Sequence, residues 1–208
     1  QPTELAKLVV ILILARYFEQ TKNEPRDLRW IISSLLWAMG LTVWILLQPN
    51  LSNVIVIMVI WGVMIWMNGL QLKHLVSFAV GGIGLVIAGF PFLQEYQQQR
   101  VLTFIFPDPN ATYGETYNIQ QALIAIGSGG WLGKGYGQGT QVQLRFLKVR
   151  HTDFIFSAIS EEFGFIGALI VIATLAFILW RCILAARLAR DTAGSTIAFG
   201  VAALIFFQ

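Results

Sequence analysis

The sequence predicts an all-α, polytopic transmembrane protein with a long extracytoplasmic loop between two of its spans. Of its 208 residues, 56% are hydrophobic and only 12% are charged, whereas soluble domains carry about 25% charged residues. Apolar segments alternate with polar turns along the chain. The modest net charge of +3 fits membrane topology better than a nucleic-acid-binding surface. A lone cysteine, Cys182, excludes an internal disulfide and a cysteine-based metal cluster.

Six apolar segments are predicted to form helices. The first, residues 5–18, follows Thr3, which can cap a helix, and Glu4, which favours the positive end of the helix dipole. It is shorter than the roughly 20 residues that a span requires. The others are residues 30–47, 51–67, 75–93, 154–184 and a segment that begins near residue 195. We interpret residues 1–208 as one membrane domain, internal to a longer protein.

Basic residues fall on one side of these segments. The turn after the first segment holds Arg16, Lys22, Arg26 and Arg29, and Arg181, Arg187 and Arg190 precede the sixth, whereas residues 48–53 contain no Lys or Arg. The positive-inside rule therefore places the basic turns in the cytoplasm and the loop of residues 94–153 outside. Glu4, Lys7 and Asp153 are then expected near the outer face.

The loop of residues 94–153 is long enough to expect a function for it. Residues 117–126 predict a short amphipathic helix within it. The glycine-rich stretch of residues 127–139 is no phosphate-binding P-loop, because Lys134 precedes Gly135 instead of Ser or Thr. Tight turns with positive φ or close backbone approach are the favoured interpretation, and backbone contacts to an anion are the alternative.

Asp153 is the first candidate for chemistry. It stands at a predicted helix start beside His151 and Arg150. A carboxylate in that position most often caps the helix. At a membrane edge it can also accept a proton from a bound hydroxyl, which is general-base chemistry. The residues alone leave both interpretations open.

Glu4 and Lys7 are the second candidate, because residues three apart share one helix face and can pair. A charge one turn inside a short span is costly unless it faces a polar partner or cavity. A cavity that tolerates both charges could also receive a pyrophosphate. Glu161 and Glu162 are expected in the outer interface, where one of them can face the site.

A histidine-based metal site is not supported, since the two histidines are predicted on opposite faces of the membrane. A hard cation held by Asp153 or Glu4 together with substrate phosphates is the remaining option.

Several motifs, in the same order along nearly the whole chain, resemble the SEDS family (RodA, FtsW and relatives). QPTELAK at residues 1–7 is similar to the family's QPSE-x-x-K, and YQQQRV at residues 96–101 to its YQ-x-QR-V. Residues 126–141, which include the glycine-rich stretch, are similar to a glycine-rich segment of the family. HTDFIF with the following EEFGFIG resembles the family's HTDFIF…EE-x-G-x-x-G. The combination is most similar to the RodA branch. The sequence departs from the family at Asn50, Ser52, Gln121 and Lys148. None of these departures changes a candidate site residue, since Glu4, Lys7 and Asp153 all match the family.

The resemblance implies a ten-span peptidoglycan glycosyltransferase of the bacterial cytoplasmic (inner) membrane, with its active site on the extracytoplasmic face. Such a protein polymerises lipid II into glycan strands during elongation and shape maintenance, with inversion, and undecaprenyl pyrophosphate leaves. Asp153 would be the catalytic carboxylate. The supporting or substrate-binding residues would be Glu4, Lys7, Arg100, His151, Thr152 and Glu161.

The implied partners are a class B penicillin-binding protein (a transpeptidase) and other membrane proteins of the elongation complex. No cofactor is identified, and Mg²⁺ or Mn²⁺ is an option. Two alternatives remain from the residues: a lipid II flippase, and a non-catalytic membrane scaffold of the cell-wall synthesis machinery. The outward clustering of the candidate charges disfavours a flippase, which needs a polar path to both faces. A scaffold has no need of Lys7 inside a short span.

Overall fold

A computed structural model describes residues 2–46, 51–92, 95, 98–99, 102, 114–143 and 154–208. All regular structure within these ranges is helical, which confirms the all-α class. A 3₁₀ turn at Phe90–Phe92 follows the fourth helix. The helices are α1 (Pro2–Gln20), α2 (Leu28–Leu46), α3 (Leu51–Met67), α4 (Leu72–Gly89), α5 (Gly114–Ser128), α6 (Thr140–Gln143), α7 (Ile155–Leu188) and α8 (Thr192–Phe207).

All six predicted apolar segments are helices, with ends displaced by a few residues. The predicted amphipathic helix at residues 117–126 is also present, within α5. Helix α7 is long and apolar enough to cross a membrane, and α2, α3 and α8 carry shorter apolar stretches. Large apolar side chains on α7, such as Ile170 and Phe177, are 61% and 56% exposed, as expected of a helix that faces lipid.

The chain divides into two compact units, Gln1–Gly84 with Phe177–Gln208, and Leu85–Ala176. The core of the first unit lies between α1, α2, α3 and α8, and includes the buried Leu14, Ile31, Ile60 and Ala203. Gly200 on α8 permits the close approach of three of these helices, because an added Cβ would lie 2.9 Å from Ile11 Cγ2 and 3.0 Å from Met64 Sδ. Small residues at such crossings are typical of helices packed in lipid.

The ends of the first unit differ in charge. Gln208, which follows α8, donates a hydrogen bond of 2.9 Å from Nε2 to Glu4 Oε2 at the start of α1. Helices α1 and α8 are therefore antiparallel, and the basic turns that hold Lys22 and Arg190 lie at the opposite end. This separation agrees with the predicted topology, in which the basic turns share one side of the membrane and Glu4 lies on the other.

The second unit contains a break in α7 at Gly164, whose φ of 68° and ψ of −166° are not helical. In a continuous helix the amides of Phe165 and Ile166 would donate to the carbonyls of Glu161 and Glu162. Here both amides donate instead to the stretch of residues 129–139, called the glycine loop below. The acceptors are the carbonyls of Gly130, at 2.8 Å, and Trp131, at 3.2 Å.

The glycine loop also satisfies the two carbonyls that the break leaves. Lys134 N donates to Glu161 O and Gly135 N donates to Glu162 O, each at 3.0 Å. Four hydrogen bonds to the loop therefore take over the roles of two helical ones, and no amide or carbonyl among these is left unpaired. This arrangement matters in a membrane, where an unpaired backbone group costs several kcal/mol.

Glycine is required where the loop meets the break. An added Cβ at Gly133 would overlap the Glu162 carbonyl, and one at Gly164 would overlap Gly133 N. The backbone at Gly130, Gly133, Gly135 and Gly137 has positive φ. Tight turns with close backbone approach, the favoured sequence interpretation of this stretch, are thus confirmed.

We predict that Gly164→Ala destabilises the full-length protein, while Gly127→Ala does not. The φ and ψ of Gly164 lie in a region that only glycine populates readily, at a cost of order 1–3 kcal/mol for other residues. At Gly127, within α5, an added Cβ meets nothing within 4 Å. Thermal unfolding in detergent gives the melting temperature of each variant. Equal melting temperatures for the two would contradict the requirement for glycine at the break.

Candidate functional site

The charged pair of the first unit lies at the start of α1. Lys7 Nζ donates to Glu4 Oε1 at 2.7 Å, which is the pairing expected from their spacing. The Lys7 side chain is only 1% exposed, whereas that of Glu4 is 42% exposed. A cation is therefore buried beneath a carboxylate that remains open to its surroundings.

Glu4 precedes the apolar segment of residues 5–18, and its carboxyl group is held in the charged form. The hydrogen bond from Lys7, which has the larger effect, and the one from Gln208 both lower the pKa of Glu4 below its usual value. The Lys7 ammonium, 2.7 Å from Oε1, already supplies a positive charge next to this carboxylate. In this structure Glu4 compensates the charge of Lys7.

A second ion pair lies in the second unit. The Glu161 side chain is fully buried, and its Oε1 accepts a hydrogen bond of 2.8 Å from Lys134 Nζ. The same oxygen accepts from Gln141 N at 3.0 Å and Thr140 Oγ1 at 3.2 Å. Ser128 Oγ donates to it at 3.4 Å. Residues of α5, α6 and the glycine loop therefore all bind the Glu161 carboxylate, which α7 carries.

Two features fit this carboxylate to its place. Gly139 leaves room for it, since an added Cβ there would lie 2.7 Å from Glu161 Oε2. Lys134 Nζ also donates to Thr140 Oγ1 at 2.8 Å, so the ammonium bridges the glycine loop and α6. Removal of Lys134 would strongly destabilise the protein, because the fully buried Glu161 carboxylate would be left without a compensating charge.

Glu161 was predicted as a supporting residue from the family resemblance, but its partners Lys134, Thr140 and Ser128 were not predicted. A single lysine inside an otherwise uncharged glycine-rich stretch was the available signal. The nearby Gln141 Oε1 is buried and has no hydrogen-bond partner within the described part of the chain.

The remaining predicted site residues, Asp153, His151, Thr152 and Arg100, lie outside the described residues. Asp153 directly precedes Phe154, where the described chain resumes before α7. Across the ranges that the structure describes, no group of three or more His, Cys, Asp or Glu side chains is placed to hold a metal ion.

Comparison with known proteins places this chain in a family. Residues 1–208 match the FtsW/RodA/SpoVE family of cell cycle proteins over their full length. The probable peptidoglycan glycosyltransferase FtsW of Aliivibrio salmonicida (strain LFI1238) is 35% identical over 214 residues, which cover 100% of this chain and 52% of that protein. The peptidoglycan glycosyltransferase MrdB of Escherichia coli (strain K12) is 36% identical over 207 residues, with 99% and 55% covered.

This chain therefore spans about half the length of the curated relatives it matches. The similarity to the SEDS proteins that the motifs indicated is confirmed over all of that span. With the match extending from residue 1 to residue 208, the chain belongs to the FtsW/RodA/SpoVE family.

Proposed function

We propose that the protein containing this chain is a peptidoglycan glycosyltransferase that polymerises lipid II on the outer face of the bacterial cytoplasmic membrane. The observation that carries the proposal is the buried Lys7, 1% exposed and paired with Glu4, in a chain whose whole length matches the family. A scaffold has no use for such a charge. Enzymes that expel pyrophosphate need a preorganised cation where negative charge develops.

In the proposed reaction, Asp153 removes the proton from the 4-hydroxyl of the acceptor GlcNAc. The resulting oxygen attacks the anomeric carbon of the donor MurNAc from the face opposite the leaving group. The bond from that carbon to the pyrophosphate oxygen breaks, the configuration inverts, and undecaprenyl pyrophosphate leaves. Lys7 and Arg100 offset the charge that develops on the pyrophosphate. His151 and Thr152, which precede the base in the sequence, assist in holding substrate.

Glu161 supports this chemistry indirectly in the proposal. The Glu161 carboxylate accepts a hydrogen bond from Gln141 N, two residues before the described chain is interrupted. Glu161 itself lies on α7, which begins directly after Phe154. The two ends of the segment that carries Asp153 are thereby tied to one buried group. Fixed ends favour the positioning of a catalytic carboxylate.

A divalent cation, Mg²⁺ or Mn²⁺, belongs to the proposal only at Asp153 and the substrate phosphates. Glu4 is already paired with the Lys7 ammonium, whose charge disfavours a second cation at the same carboxylate. Such an ion would add positive charge near the pyrophosphate when bound.

We further propose the elongation role, with a class B penicillin-binding protein and other elongation-complex membrane proteins as partners. The support is the motif combination, which is most similar to the RodA branch. The relatives named FtsW and MrdB are 35% and 36% identical to this chain, so sequence identity does not favour one of them over the other.

The first test is Asp153→Asn in the full-length protein, assayed for glycan polymerisation from purified lipid II with its partner transpeptidase present. We expect the rate to fall by about 10²–10⁴-fold, the usual contribution of a general base. Asp27→Asn is the matched control, because Asp27 is exposed in the turn before α2 and is predicted to lie on the cytoplasmic side. Normal polymer from a well-folded Asp153→Asn protein would refute the role of the base.

The second test separates pairing from substrate contact at Lys7. Glu4→Gln and Lys7→Met should each reduce polymerisation, and Glu4→Gln should also destabilise the protein because it leaves the buried Lys7 without its compensating charge. The swap of Glu4→Lys with Lys7→Glu should regain stability while activity stays at least about tenfold low, since the preorganised cation has moved.

The matched control is the swap of Arg16→Glu with Glu19→Arg, a pair of 3.0 Å on the exposed surface of the same helix. This swap should leave both stability and activity unchanged. Full activity in the Glu4–Lys7 swap would show that the pair is purely structural.

A further inference from the structure

A cavity lies in the first unit, at the end opposite to Glu4 and Lys7. Its volume is about 550 Å³, within the range of small-molecule sites. It opens between the turn after α1, the end of α3, the end of α7 and the start of α8. Three cations line it, Lys22, Arg187 and Arg190, together with one carboxylate, Asp191.

The charges around this cavity are not balanced. Among the described residues, Lys22, Arg187 and Arg190 form no ion pair, unlike Lys7, whose carboxylate partner is Glu4. Asp191 is already engaged as the cap of α8, where Oδ2 accepts a hydrogen bond of 2.9 Å from Gly194 N. Three cations thus line a cavity whose one carboxylate already accepts a hydrogen bond. The excess positive charge attracts an anion.

The rest of the lining is about half apolar, and its polar members are Asn68, Thr192, Ser195 and Thr196. Met67, Ile183 and Phe199 contribute to the wall. Asn68 Nδ2 donates to Thr196 Oγ1 at 3.0 Å, which holds α3 against α8 at this place. A free inorganic anion would use the cations but leave the apolar wall in contact with water. A molecule with a phosphate next to a hydrocarbon chain satisfies both parts.

We propose that this cavity binds an anionic glycerophospholipid. The phosphate lies between Arg187, Arg190 and Lys22, and the first part of the acyl chain packs against Met67 and Phe199. Basic pockets between membrane helices on the cytoplasmic side are suited to acidic lipid headgroups. The proposal does not depend on glycosyl transfer, because it uses none of the residues assigned to that reaction.

Native mass spectrometry of the full-length protein in neutral detergent tests the proposal, with phosphatidylglycerol and phosphatidylcholine as probes. We expect the wild type to retain phosphatidylglycerol preferentially. Arg187→Gln with Arg190→Gln should weaken this binding by about tenfold or more, as expected for the removal of two basic contacts. The matched control is Arg29→Gln with Arg181→Gln, which removes the same charge from exposed positions that do not line the cavity. Binding to this control should be unchanged.

Ala189→Trp provides a second variant, because it fills the cavity without any change of charge. It too should lose phosphatidylglycerol, and melting temperatures verify that each variant is folded. Unchanged phosphatidylglycerol binding in a folded cavity variant would overturn the proposal. So would a wild type without lipid preference, the result expected if a further segment of the longer protein fills the cavity. Displacement of the lipid by inorganic phosphate at equal concentration would assign the cavity to a free anion and also overturn it.

Discussion

The exchange of hydrogen bonds at Gly164 is the constraint on which the second unit depends. A helix cannot break at a buried position without cost unless other groups replace the backbone partners that the break removes. The glycine loop supplies two donors, Lys134 N and Gly135 N, and two acceptors, the carbonyls of Gly130 and Trp131. This requirement explains the composition of the loop, because its backbone must come closer to α7 than side chains allow.

The ion pair between Lys134 and Glu161 depends on the same contact between the glycine loop and α7. Lys134 donates its amide to the Glu161 carbonyl and its ammonium to the Glu161 carboxylate. The loop and helix are thereby joined twice at the same two residues, once through the backbone and once through charge. Loss of the break would move Glu161 away from its partners and leave a carboxylate buried without compensation, which is strongly unfavourable.

The helices could be predicted from the sequence because apolar length and polar turns are local signals. The Glu4–Lys7 pair was also predictable, since a spacing of three residues sets it within one helix. The partners of Glu161 were not, because Lys134 lies 27 residues away and only the fold brings them together. The break at Gly164 was missed for a similar reason. A glycine inside an apolar helix is ordinary, and the hydrogen bonds that replace the helical ones come from a distant loop.

The most direct test of the central claim is hydrogen–deuterium exchange of the full-length protein with and without Gly133→Ala. An added Cβ at Gly133 would overlap the Glu162 carbonyl and so separate the loop from the break. We expect peptides covering residues 130–136 and 162–168 to lose protection together, while residues 170–185 of α7 stay protected. Loss of protection in the loop alone, with residues 162–168 still protected as in the wild type, would contradict the dependence of the broken helix on the glycine loop.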